Sequence, residues 1–99
     1  TMSVLELRTA AAEGNLGQVL KLLEAGAQVN GTSNDGGTAL HAAAEAGHLG
    51  VVQVLLSRGA RSFPDALRQL PVFMAARRGH TDVVLNFLRA GASQHDRLD

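Results

Sequence analysis

The chain contains no cysteine, no tryptophan and no tyrosine, and only two prolines. Without cysteine it has no disulfide framework, no thiolate metal site and no cysteine nucleophile. Its three aromatics are Phe63, Phe73 and Phe87, so the core must be assembled from small and aliphatic side chains. No charge excess exists either: nine Lys and Arg balance nine Asp and Glu. That balance argues against a general nucleic-acid binder, which shows a basic surplus. Long hydrophobic runs are missing, and no stretch approaches the ~20 apolar residues of a membrane span. Glu6 and Arg8 interrupt the apolar start, which therefore lacks a signal-peptide core. These absences lead us to expect a cytoplasmic or nuclear protein. Thr1 ahead of Met2 suggests Met2 as the native start.

What the chain does have is alanine, glycine and repetition. Sixteen of 99 residues are Ala and eleven are Gly. Leu22-Leu23-Glu24-Ala25-Gly26-Ala27 recurs as Leu55-Leu56-Ser57-Arg58-Gly59-Ala60 and again as Phe87-Leu88-Arg89-Ala90-Gly91-Ala92. A second block keeps step with it. Ala10-Ala11-Ala12-Glu13-Gly14-Asn15 matches Ala43-Ala44-Glu45-Ala46-Gly47-His48 and then Ala75-Ala76-Arg77-Arg78-Gly79-His80. Both blocks advance by 33 and then 32 residues, and a period of that size marks a repeat architecture.

Each period reads as a helix, a turn, a second helix and a loop. In the middle unit Thr38 is suited to cap the first helix. Leu40, Ala43 and Ala44 share one face, and Gly47 can end the helix with positive φ. The second helix runs from Leu49 to Ser57, with Val51, Val52, Leu55 and Leu56 on its buried side. Gly59 closes it, and Gly91 is expected to close the third unit in the same way. Asn34-Asp35-Gly36-Gly37 signals a tight turn at the tip of an extended loop. The next loop, Ser62 to Gln69, lacks that Asp-Gly turn and is one residue shorter. It reads as a distorted finger, partly helical across Pro64–Gln69.

The middle unit combines Thr38-Ala39-Leu40-His41, Gly47-His48, Val51-Val52, Leu55-Leu56 and Gly59-Ala60. The first carries Leu22-Leu23, Gly26-Ala27 and Val29-Asn30. The third carries Pro71, Ala75-Ala76, Gly79-His80, Asp82-Val83-Val84 and Gly91-Ala92. In this register the chain resembles the ankyrin repeat family from about Val4 to about His95. The resemblance implies an all-α repeat solenoid of helix-turn-helix units joined by short β-hairpin or loop fingers. The expected units are 2–34, 35–67 and 68–99, the first cap-like and the last with an atypical start. Departures are local. Leu5-Glu6-Leu7-Arg8 replaces the usual first-helix start, and Gln18 stands where a second-helix Val would sit, which suits an uncovered first repeat. In the third unit Leu70 and Phe73 replace the Thr cap and its His together. Losing both partners costs less than stranding one.

Catalytic and metal chemistry find no support. His41, His48 and Glu45 sit within one helix pair, but no counterpart His exists at both positions of the other units. The resemblance gives the first His a bond to the cap Thr and the corner His a bond to neighbouring backbone. Ser33, Asp35 and His41 make no triad, because nothing supplies an oxyanion hole. Gly36-Gly37 lacks the Lys of a phosphate loop. No enzyme activity, cofactor or metal is therefore expected. Seven Arg are not interleaved with aromatics, so no nucleic-acid platform is expected, and no membrane association.

The zero net charge hides an asymmetry. Residues 1–49 carry −3 and residues 50–99 carry +3. Its sharpest expression follows the small Ala pair of each first helix, at Ala12-Glu13, Glu45-Ala46 and Arg77-Arg78. By resemblance these positions face a concave groove, acidic at one end and basic at the other. The expected function is non-catalytic binding of a partner protein. The candidate contacts are the finger residues Thr32, Asn34, Asp35 and Gly37, the inner-helix residues Thr9, Ala42 and Met74, and the charged strip. Two alternatives remain. One is an N-terminal structural segment of a longer scaffold, channel or enzyme. The other rests on Leu70-Pro71-Val72 and Leu88-Arg89-Ala90, which look like a repeat of the ankyrin-type cyclin-dependent kinase inhibitors. The chain is expected to be a monomer, or to associate weakly with itself through an uncapped last repeat.

Overall fold

In the computed structural model, which describes the backbone of residues 2–98 and the side chains of 4–91, six helices follow one another. They are α1 (Met2–Glu13), α2 (Leu16–Glu24), α3 (Ala39–Ala46), α4 (Leu49–Ser57), α5 (Pro71–Arg77) and α6 (Thr81–Leu98). Each odd helix packs on the next odd helix, so α1, α3 and α5 form an inner layer. The even helices back them as an outer layer, and the stack measures 37 × 26 × 21 Å. The core lies between the layers. It holds Leu7, Val19, Leu40, Val51, Val52, Leu55 and Val83, each 2 % exposed or less, with Ala10, Ala11, Ala39, Ala43, Ala44 and Ala75 filling the helix contacts. Each such aliphatic side chain contributes ~1.5–3 kcal/mol on burial. The alanines let the inner helices approach closely, which explains a core with no fully buried Phe.

Local chemistry sets the helix ends. Asn15 Oδ1 accepts from the Gln18 amide at 3.2 Å and starts α2. Thr38 starts α3 with a capping box: its hydroxyl accepts from the His41 amide, and its own N–H donates to His41 Nδ1 at 3.1 Å. That fixes the ring's tautomer, so Nε2–H donates to the Gln69 carbonyl at 2.9 Å in the following loop. Pro71 opens α5 at a position where no side-chain cap is present and where a missing N–H is harmless.

The corner glycines do more than turn the chain. Gly14 and Gly47 have φ of +72° and +80°, a region open to glycine at no cost. The His48 ring lies on Gly14 and donates from Nε2 to the Ala12 carbonyl at 3.1 Å. His80 repeats this one unit later, on Gly47 and the Glu45 carbonyl at 2.9 Å. A Cβ on Gly47 would come within 2.5 Å of the His80 ring. Each of the first two units therefore offers a seat, a bare glycine beside a helix-end carbonyl, which the next unit's histidine occupies.

Of the two finger forms expected, β-hairpin or loop, the loop form is present, and two local expectations, on the second finger and on the end of α6, are corrected. No strand forms among the described residues. Both fingers are hydrogen-bonded turns: Ser33 N–H bonds Gly37 O and Gly36 N–H bonds Ser33 O, but no ladder extends beyond them. The second finger is not helical. Asp65 N–H bonds Gln69 O and Arg68 N–H bonds Asp65 O, which reproduces the first turn. Arg68, at φ +63°, takes the place of Gly36, at +76°. Asp65 secures the turn by accepting from the amides of Leu67 and Gln69, both at 2.9 Å. Finally, α6 does not stop at Gly91 but runs to Leu98. The corner of the second unit is held by Asn30, whose side chain donates to Gly59 O at 3.1 Å and accepts from Arg61 N–H at 2.8 Å. At Asn30's place the second unit has Phe63, which can make neither bond, so a corner at Gly91 lacks this clamp.

Candidate protein-interaction surface

The first finger is fastened to α1. Arg8 donates to the Ser33 hydroxyl and lies 3.7 Å from Asp35. Ser33 also donates to Asp35, and the Gly37 amide donates to the same carboxylate at 2.9 Å. These bonds, the Ser33 hydroxyl first, hold the Asp35 carboxyl below the usual carboxylate range. Arg8 and His41 occupy equivalent positions in their helices, and each reaches the finger that follows its unit. The sequence signal was present, since Arg8 stands at the His position of the repeat. The finger's backbone also meets the second finger, through the Ala66 amide and the Asp35 carbonyl at 2.9 Å.

Across the inner helices lies a groove of about 370 Å³. Its floor is Ala12, Ala42, Ala46 and Met74, and its polar edges are Arg8, His41, Glu45 and Arg78. Six of the predicted residues thus come together: Ala12, Ala42, Glu45, Ala46, Met74 and Arg78. Glu45 is shared by two cations, with Arg78 at 3.2 Å and Arg77 at 3.5 Å from the same oxygen. The Arg77 guanidinium also lies 5.6 Å from the centre of the half-exposed Phe73 ring. The strip is therefore not a simple gradient from acid to base; its central acid is already paired.

The other predicted residues fall elsewhere. Thr9 and Glu13 line a separate depression of about 300 Å³ with Leu5, Glu6, Ala10 and Gln18. Thr32 and Asn34 border one of about 240 Å³ against Val4 and Leu5. Asp35 is exposed at the finger tip, whereas Gly37 is buried beneath it against Arg8 and offers no surface. Another cavity, about 460 Å³, lies in the outer layer between Leu56, Ala60, Arg61, Ser62, Phe87, Ala90 and Gly91. It contains no predicted residue. It opens where Phe63 has replaced the Asn30 clamp and α6 passes straight on.

His41 and His48 are engaged in packing and backbone bonds, as are Ser33 and Asp35 in the finger turn. Among the described residues no three His, Cys, Asp or Glu side chains gather as a metal site, and no helix is long and apolar enough to cross a membrane.

The repeat geometry agrees with the comparison to known proteins. The family of ankyrin repeats, as three copies, matches residues 7–97, and the chain belongs to that family. It is 44 % identical over 77 residues to the protein fem-1 homolog A-like of Mus musculus, covering 78 % of this chain and 12 % of that protein. It is 48 % identical over 62 residues to fem-1 homolog A of Bos taurus, covering 63 % and 10 %. With fem-1 homolog A-A of Mus musculus it shares 48 % over 76 residues, covering 77 % and 12 %. The chain thus spans about a tenth of the length of these relatives.

Proposed function

We propose that the chain is a non-catalytic protein-interaction module that holds a segment of its partner in the inner groove and against the first finger. One observation carries this reading. Residues from all three inner helices converge on a single groove with a floor of small side chains and charged edges. A floor of this kind lets a partner's backbone approach, and the charges set its orientation more than its raw affinity. Ankyrin repeats are in general protein-interaction modules, which agrees with the reading. The test is affinity capture with mass spectrometry, using the chain and its Arg77→Glu/Arg78→Glu variant side by side. Loss of specific partners from the variant is expected. Unchanged capture of every partner would remove the groove from the function.

A second reading has its own support: the chain as part of a longer stack. On the third unit Leu70, Phe73 and Leu88 are 40 %, 50 % and 61 % exposed. Thr38 and His41, the second-unit equivalents of Leu70 and Phe73, are at most 2 % exposed. Gly79 has the φ of a seat, +79°, and nothing within 4 Å of its Cβ position. Thermal melts of a chain extended past Asp99 test this. Unchanged stability favours a self-contained domain.

A further inference from the structure

We infer that the groove selects an acidic, extended segment of its partner, with a carboxylate seated between Arg8 and Arg77/Arg78. This rests on the interaction-module reading and names the partner's chemistry. Three guanidinium groups border the groove or adjoin it, and Glu45 is the one acid among the residues that line it. Glu45 places a single oxygen, Oε2, before both Arg77 and Arg78. One carboxylate oxygen cannot use the ten N–H donors of two guanidiniums. An incoming carboxylate meets the remaining donors, whereas an incoming lysine would face two cations around an acid they already neutralise.

The cations are also held in place before any partner arrives. Arg8 is fixed by Ser33 and by Asp35, and its buried Nε has no hydrogen-bond partner. Arg77 rests over the Phe73 ring, a cation–π contact that orders the guanidinium. Pre-ordered cations lose less side-chain entropy on binding. Between them Ala12, Ala42 and Ala46 leave room for backbone, and Met74 adapts to whichever apolar residue accompanies the acid. An acid seated here releases Glu45 from one of its two arginines. Glu45 is thus an internal competitor as well as an ion-pair partner, a role that a purely structural residue would not have.

The test is fluorescence anisotropy with three labelled probes: a peptide of alternating glutamate and alanine, its lysine counterpart, and a single-stranded RNA oligonucleotide. The glutamate peptide should bind, weaken with added salt, and lose roughly tenfold or more on Arg78→Glu. Glu45→Gln should tighten it by about three- to tenfold. That variant keeps the backbone carbonyl used by His80, so the seat is preserved, and circular dichroism melts of both variants check the fold. Weaker binding in Glu45→Gln overturns the proposal. So does preference for the lysine peptide or the RNA, or no glutamate-peptide binding at about 1 mM (a Kd worth about 4 kcal/mol). If the glutamate peptide fails while captured partners still depend on Arg77 and Arg78, the acidic assignment falls and the module reading stands. If neither responds, both fall.

Discussion

The junction between the first and second repeats and the junction between the second and third share one device and differ in the rest. In both, a corner histidine sits on the previous unit's glycine and bonds its helix-end carbonyl. At the first junction Arg8 ties the finger to the helix through a hydroxyl and a carboxylate, and Asn30 clamps the next corner. At the second junction the His41 ring does the tying, and Phe63 leaves the corner unclamped. The shared device sets the stacking distance. The variable ones decide how firmly each finger and corner is held.

The largest expected effect comes from filling a seat. Gly47→Ala combines a left-handed backbone, worth ~1–2 kcal/mol against a Cβ, with a clash against His80 at 2.5 Å. Together with the displaced histidine bond, about 3 kcal/mol or more of stability should be lost. Gly79→Ala has the same φ and open space, so only the backbone cost of ~1–2 kcal/mol remains. Chemical denaturation of the two variants isolates the seat. Equal losses would show that the histidine contributes nothing.

The next effect concerns the capping box. His41→Phe strands the Thr38 amide and the Gln69 carbonyl, at a cost of ~2–3 kcal/mol. Thr38→Leu alone should cost ~1–2 kcal/mol as a lost cap. The double variant copies the third unit's Leu70 and Phe73. It should lose less than the sum of the singles by about 0.5–1 kcal/mol, the coupling of a contacting pair. Strict additivity in a double-mutant cycle would mean that Leu70 and Phe73 are not a joint replacement.

These two tests separate what the sequence could show from what it could not. The period, the six helices, the Thr38 cap and the positive φ at Gly14, Gly47 and Gly59 follow from residue type and spacing, because each is a local property repeated in step. The second finger lacks Asp-Gly, so residue type alone does not reveal its turn. Asp65 accepting from two amides supplies enough to hold Arg68 in the left-handed region. The run of α6 through Gly91 depends on a clamp from the preceding unit, which no local reading of Gly91 contains. The groove was legible as positions but not as electrostatics. That Glu45 lies between Arg77 and Arg78 is a matter of one repeat's side chains reaching another's, 32 and 33 positions apart.

The clamp gives a smaller, reciprocal test. Asn30→Leu removes two exposed hydrogen bonds and should cost about 1 kcal/mol, with faster amide exchange at Arg61. Phe63→Asn should do the reverse one unit later. It offers the missing partner to a corner at Gly91 and should shorten α6 there, seen as lost amide protection after Gly91. Protection unchanged in Phe63→Asn would mean that α6 is held by something other than the missing clamp.

The smallest effect compares the finger tips. Gly36 and Arg68 occupy one position of one turn, yet only Gly36 is crowded. A Cβ on it would lie 2.9 Å from the Ala66 amide nitrogen of the neighbouring finger. A left-handed arginine carries a steric cost of ~1–2 kcal/mol, offset in part by glycine's greater freedom in the unfolded chain. Arg68→Gly should therefore stabilise the chain by about 0.5 kcal/mol. Gly36→Ala should destabilise it by ~2 kcal/mol, because it adds the same backbone cost to a contact the neighbouring finger cannot relieve. Denaturation midpoints measure both. Opposite signs at equivalent positions are the outcome expected if the turn position of the first finger is crowded by its neighbour while that of the second is not.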